Sequence, residues 1–113
     1  MSRLFGMPFA KVYPLYVAKV ERKGRTKDEL DEVIRWLLQI DQPALQRYVD
    51  DGTTFTDLFD EVQLTPASEK ITGMICGIRV EQIEDPLMRK IRSLDKVVDE
   101  LAQGKALAKI QRS

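Results

Sequence analysis

Residues 85–104 read Asp-Pro-Leu-Met-Arg-Lys-Ile-Arg-Ser-Leu-Asp-Lys-Val-Val-Asp-Glu-Leu-Ala-Gln-Gly, and they decide the fold. Leu87, Ile91, Leu94, Val98 and Leu101 recur at alternating steps of four and three, which lines them along one side of an α-helix. Asp85 before Pro86 is a start signal, because a cap side chain accepts free backbone donors while proline needs none at the first helical position. Gly104 is the stop. The pattern predicts the longest helix of the chain, from about Pro86 to Gln103.

The same grammar runs outward from this helix. Upstream, Phe9, Val12, Tyr13, Tyr16, Val17 and Val20 share one helical face, with Gly24 as terminator. Pro14 interrupts this pattern, so the helix either kinks there or becomes regular only near Tyr13. Thr26 and Glu29 form a capping box ahead of Leu30, Val33, Ile34 and Leu37. Asp41 caps a short helix carrying Leu45, Tyr48 and Val49, closed by Gly52. Thr53 or Thr54 caps the next, with Phe55, Leu58, Phe59 and Val62. Thr65-Pro66 is a further start signal. Downstream, Leu107 and Ile110 add a last turn or two.

The run from Ile71 to Ile83 is the ambiguous segment. Ile71, Met74, Ile75 and Ile78 have helical spacing, and the segment is read as a helix. Its Ile and Val content and its two glycines leave a pair of short strands as the alternative, since short apolar runs are not settled by period alone. Five to six short helices with short connections make an all-α, compact, single-domain bundle over residues 1–113, with residues 1–7 and 105–113 expected to fray. At 113 residues one ordinary domain fits. Such a chain buries roughly two-thirds of its unfolded surface, enough for a core without staples.

With 43% hydrophobic and 32% charged residues, the composition is globular, neither disordered nor membrane-spanning. No stretch approaches the roughly 18 apolar residues of a spanning helix, and the N-terminus lacks a secretory pattern. A cytoplasmic protein is expected, with a single cysteine that has no partner for an internal disulfide. The chain has no histidine. Ser-His and Cys-His nucleophile pairs are thereby excluded within one chain, as is the commonest metal ligand. No metal or cofactor site is expected.

Net charge is zero but unevenly spread: residues 1–27 carry +6, residues 28–87 carry −10 and residues 88–113 carry +4. Basic ends could gather into a nucleic-acid patch. The reading preferred here is that they pack beside the acidic middle and neutralise it.

The segment Ile71-Thr72-Gly73-Met74-Ile75-Cys76-Gly77-Ile78-Arg79-Val80-Glu81-Gln82-Ile83-Glu84-Asp85-Pro86-Leu87-Met88 carries a more specific signal. With Val12-Tyr13-Pro14, Lys23-Gly24-Arg25-Thr26-Lys27, and Leu94-Asp95-Lys96 to Gly104-Lys105, it resembles a family of short bacterial proteins known only as domain of unknown function 2200. The likeness spans nearly the whole chain and is least distinctive from Asp41 to Leu64. It implies a bacterial, cytosolic protein and supplies no catalytic residues. One departure concerns the second helix. The family pattern has a glycine shortly after the Trp-Leu pair, whereas Trp36-Leu37 is followed here by Leu38-Gln39-Ile40.

Four side chains are candidates for binding a small molecule: Arg79, Cys76, Tyr13 and Tyr16. Arg79 is the one cation in an apolar run and could grip an anion through both arms of its guanidinium, or pair with Glu69 or Asp85. Cys76, among apolar neighbours, is read as a buried and inert thiol. The tyrosines belong to the core with Trp36, Tyr48, Phe55 and Phe59, and their hydroxyls could edge a pocket. On a helix, Gly73, Cys76 and Gly77 would form a small-residue face for close packing or dimerisation. Glu81, Glu84 and Asp85 are explained by capping, with no ligand needed. Three function classes follow. The preferred one is a non-enzymatic helical module that binds a protein partner or itself. Next is a small-molecule site or enzyme around Cys76, Arg79 and the tyrosines. Nucleic-acid binding through the basic ends is disfavoured.

Overall fold

A computed structural model, which describes residues 5–112, shows the expected helical globule with a single small hairpin. Six α-helices follow in order: α1 (Phe9–Arg22), α2 (Lys27–Leu38), α3 (Gln42–Asp51), α4 (Phe55–Glu61), α5 (Pro86–Ala102) and α6 (Leu107–Ile110). Between α4 and α5 lie a 3-10 turn (Pro66–Lys70), strands β1 (Met74–Ile75) and β2 (Ile78–Arg79), and a second 3-10 turn (Val80–Gln82).

The helix starts are where the caps place them. The Thr26 hydroxyl accepts from the Glu29 amide at 3.1 Å while Glu29 Oε1 accepts from the Thr26 amide at 3.0 Å, a complete capping box. Asp41, Thr54 and Asp85 accept from the Ala44, Asp57 and Met88 amides. Helix α1 begins at Phe9 and continues past Pro14, so the regular part does not wait for Tyr13. The chain before α1 is tied to the start of α4. Phe9 N donates to Thr53 O at 2.8 Å, and the amides of Phe55 and Thr56 donate to Met7 O and Phe5 O.

Helix α5 is the longest and packs against α1, α2, α4, α6 and the hairpin. Its Ile91, Leu94, Val97, Val98 and Leu101 meet Phe9, Tyr13, Tyr16 and Val20 of α1 and Leu30, Ile34 and Leu37 of α2 in one core. Of the six aromatics assigned to that core, Trp36 alone is only partly buried. Helix α6 docks through the fully buried Ile110, and Arg112 reaches back to Glu100 at 2.7 Å.

The helical reading of Ile71–Ile83 is corrected. The strands pair antiparallel, Met74 with Arg79 and Ile75 with Ile78, around the turn Cys76-Gly77. Both turn residues have positive φ, 52° at Cys76 and 78° at Gly77, the backbone of a type I′ hairpin turn. Gly77 has no side chain to oppose that conformation, so it favours the turn where it would only weaken a helix. Gly73, at φ 107°, opens the hairpin, and Val80 N closes it on Gly73 O at 3.0 Å.

The departure at Leu38-Gln39-Ile40 also has a structural meaning. Gln39 ends α2 in the left-handed conformation, φ 55° and ψ 47°, where helices usually place glycine. Its side chain donates to Gln63 O at 2.7 Å, offsetting part of the strain. Replacing Gln39 with Ala keeps the strain and loses that bond, while Gly loses the bond and relieves the strain. Gln39→Gly should therefore be more stable than Gln39→Ala by about 1 kcal/mol in urea denaturation.

Candidate functional site

Helix α1 presents two tyrosines three residues apart, and their hydroxyls leave the core in different directions. Tyr13 donates to Asp31 of α2, and Tyr16 donates to Asp95 of α5. One helix thus holds two neighbours by polar contacts at the edge of an apolar interface.

The Tyr13 cluster is closed. Asp31 is only 2% exposed, and its second oxygen accepts from Lys27 Nζ at 2.8 Å and Gln42 Nε2 at 3.1 Å. The Lys27 ammonium also sits 5.7 Å from the centre of the Tyr13 ring. Burial, and then the carboxylate it faces, push the Tyr13 hydroxyl up from its ordinary 10.0 to about 12. Hydrogen bonding to Asp31 raises the Lys27 ammonium as well.

The Tyr16 cluster leads to the surface. Asp95 accepts from Arg92 Nη1 at 2.9 Å, and the same nitrogen lies 3.5 Å from Cys76 Sγ at the hairpin turn. Arg92 Nε is buried with no partner among the described residues. Burial first, then Asp95, raise the Tyr16 hydroxyl well above 10.0. Lys96, one residue beyond Asp95, donates to Met74 O at 3.1 Å and so fastens the hairpin to α5.

Two expectations about this region are overturned. Cys76 is exposed, because the turn that needs it in a left-handed conformation lifts it off the core. The close-packing face of Gly73, Cys76 and Gly77 has no helix to stand on. A Cβ at Gly77 would meet nothing within 4 Å, and one at Gly73 would meet the flexible end of Lys96 at 3.2 Å rather than another backbone.

Arg79 is also exposed. It faces Glu81 at 3.8 Å instead of the expected Glu69 or Asp85, since Glu69 lies by Arg89 and Asp85 caps α5. The four candidate residues therefore do not share one site. Cys76 and Tyr16 are joined through Arg92 and Asp95, while Tyr13 belongs to the closed cluster and Arg79 points outward.

Sequence reading missed the carboxylates at the centre of both clusters. Asp31 lies three residues before Ile34 and Asp95 four after Ile91, on or beside the apolar stripes of their helices. A charge at a stripe position is the signal that could have found them.

Two of the clefts among the described residues adjoin α5. The larger, of about 620 Å³, lies between residues 62–69 and residues 83–93; the other, of about 580 Å³, surrounds the end of α5. Tyr13, Tyr16, Cys76 and Arg79 line neither. Among the described residues no three His, Cys, Asp or Glu side chains gather closely enough to hold a metal ion, and no helix is long and apolar enough to cross a membrane.

A crystal structure titled as that of the uncharacterized protein SP1917 is similar over 97% of this chain and 92% of its own, with a TM-score of 0.90 and 42% sequence identity. No curated protein matches the chain. The family model described as an uncharacterized protein conserved in bacteria, DUF2200, matches residues 3–112. A match of that extent, over a chain whose hairpin and α5 carry the distinctive residues, places this protein in the DUF2200 family.

Proposed function

We propose that this protein is a non-enzymatic interaction module of the bacterial cytoplasm, and that the hairpin from Gly73 to Val80 is its contact with a protein partner. The observation that carries this reading is the position of its exposed apolar side chains. Only Leu15, Met74 and Ile78 are large, hydrophobic and exposed among the described residues. Two of those three lie on one hairpin, at 50% and 44% exposure, flanking the free thiol of Cys76.

The hairpin is also held in place before any partner arrives. Ile75 is buried in the core, and Lys96 and Val80 hydrogen-bond to the β1 segment. A contact element already fixed in its bound shape loses little entropy on binding. An exposed, unpaired thiol suits a reducing compartment.

The competing classes have less support. A small-molecule site around the four candidate residues calls for a cleft that holds Arg79 and a carboxylate, and Arg79 lines neither cleft. Nucleic-acid binding calls for one contiguous face of unengaged cations, and several cations of the chain ends are instead paired: Lys19 with Asp99, Arg25 with Glu29, Lys27 with Asp31, and both Lys105 and Arg112 with Glu100.

Photo-crosslinking in growing cells tests the proposal. A photoreactive residue at position 74 or 78 should give one discrete protein adduct, and the same residue at the exposed Asp50 of α3 should not. An adduct of twice the chain mass would make the partner a second copy. Absence of a discrete adduct at 74 and 78, or equal crosslinking at 50, overturns the reading.

A further inference from the structure

The larger cleft lies away from the hairpin's exposed face and is built from different residues. Its walls are the connection after α4 and the first turns of α5. The connection is fixed in place, since Thr65 N donates to Leu37 O at 2.9 Å and Gln39 holds Gln63 O. Leu64, Pro66, Ile83 and Pro86 supply apolar surface. The volume of about 620 Å³ suits a small molecule.

The cations of this cleft are weakly engaged. Lys90 is half-buried and has no hydrogen-bond or ion-pair partner among the described residues. Arg89, also half-buried, is 3.7 Å from Glu69, whose side chain is 81% exposed. A pair that long, with one partner in solvent, is readily exchanged for another anion. Glu84, the other acid on the lining, is exposed and free to turn outward. Holding two neighbouring cations partly out of water beside an apolar wall favours a ligand that brings both an anion and an apolar body.

We propose that this cleft binds a small amphipathic anion, a carboxylate or phosphate monoester on an apolar chain or ring. Arg89 and Lys90 take the anionic group, and Leu64, Pro66 and Ile83 take the apolar body.

Octanoate, octyl phosphate, octanol and acetate are the probes, each titrated into the full chain and followed by amide chemical shifts. Octanoate or octyl phosphate should shift residues 64–69 and 83–90 and bind at least about tenfold more tightly than octanol or acetate. Whichever of the two anions binds more tightly identifies the head group. The double change Arg89→Gln and Lys90→Gln should remove that advantage, and Lys90→Gln alone, at a side chain with no partner to lose, should remove part of it with the melting temperature unchanged. Equal binding of octanoate, octyl phosphate and octanol, shifts centred elsewhere, or full affinity in Lys90→Gln overturns the proposal. None of these results bears on crosslinking at the hairpin, so the two proposals stand or fall separately.

Discussion

Asp31→Ala is expected to destabilise the fold by about 2–3 kcal/mol, the scale for losing hydrogen bonds to a charged group and leaving a buried hydroxyl unpaired. Three donors converge on this carboxylate from three helices: Tyr13 of α1, Lys27 of α2 and Gln42 of α3. Alanine would leave the Tyr13 hydroxyl facing an emptied polar pocket, and an unpaired buried donor costs its full desolvation. Lys27 would suffer less, since its side chain is 46% exposed and can return to water. Asp31→Asn keeps the volume but points an amide N–H₂ group at donors. It should recover less than half of the loss. Chemical denaturation of the three proteins checks this, and a loss below about 1 kcal/mol in Asp31→Ala would mean that the cluster is incidental to the fold.

That cluster also shows where sequence reading stops. Local signals were legible because they act locally. The Thr26–Glu29 capping box, Asp85 before Pro86 and the stripe from Leu87 to Leu101 each specify a backbone state within a turn or two, and each is present. Which helices meet is a long-range matter. Tyr16 and Asp95 are 79 residues apart, and no periodicity links a tyrosine in one helix to a carboxylate in another.

The hairpin escapes a reading by period for a different reason. The spacing of Ile71, Met74, Ile75 and Ile78 fits a helical face, and four positions are too few to distinguish it from a strand pair. Gly77 held the information. In a helix it is a weakness without a compensating cause, whereas after Cys76 it completes a turn that needs two positive φ angles. Cys76 and Arg79 lie on this segment, so their surroundings change with it. The thiol expected inside the core is exposed, and the arginine expected at a cavity or an acid at the helix ends faces Glu81.

Stability should fall as the pH rises above about 10, and Tyr13 should account for a measurable part of that fall. In the folded chain Tyr13 keeps its proton up to about pH 12, whereas unfolded it releases it near 10.0. Between those values the folded state binds the extra proton, so each step upward in pH favours unfolding. Stability from this group is complete below pH 10 and is lost by pH 12. That difference, discounted for solvent screening, is worth about 1–2 kcal/mol. Tyr16, raised by burial and by Asp95, acts in the same direction. So does Lys27, whose charged form is held by Asp31 and is lost from the unfolded chain first. Tyr13→Phe separates the contribution of Tyr13 from the rest. At pH 8 the variant should be less stable by about 1–2 kcal/mol, because one Asp31 oxygen loses its donor. As the pH climbs, wild type loses the tyrosine's contribution and the variant has none to lose. The two urea-denaturation stabilities should therefore converge between pH 10 and pH 12, and a constant gap over that range would show that the Tyr13 proton is not held by the fold.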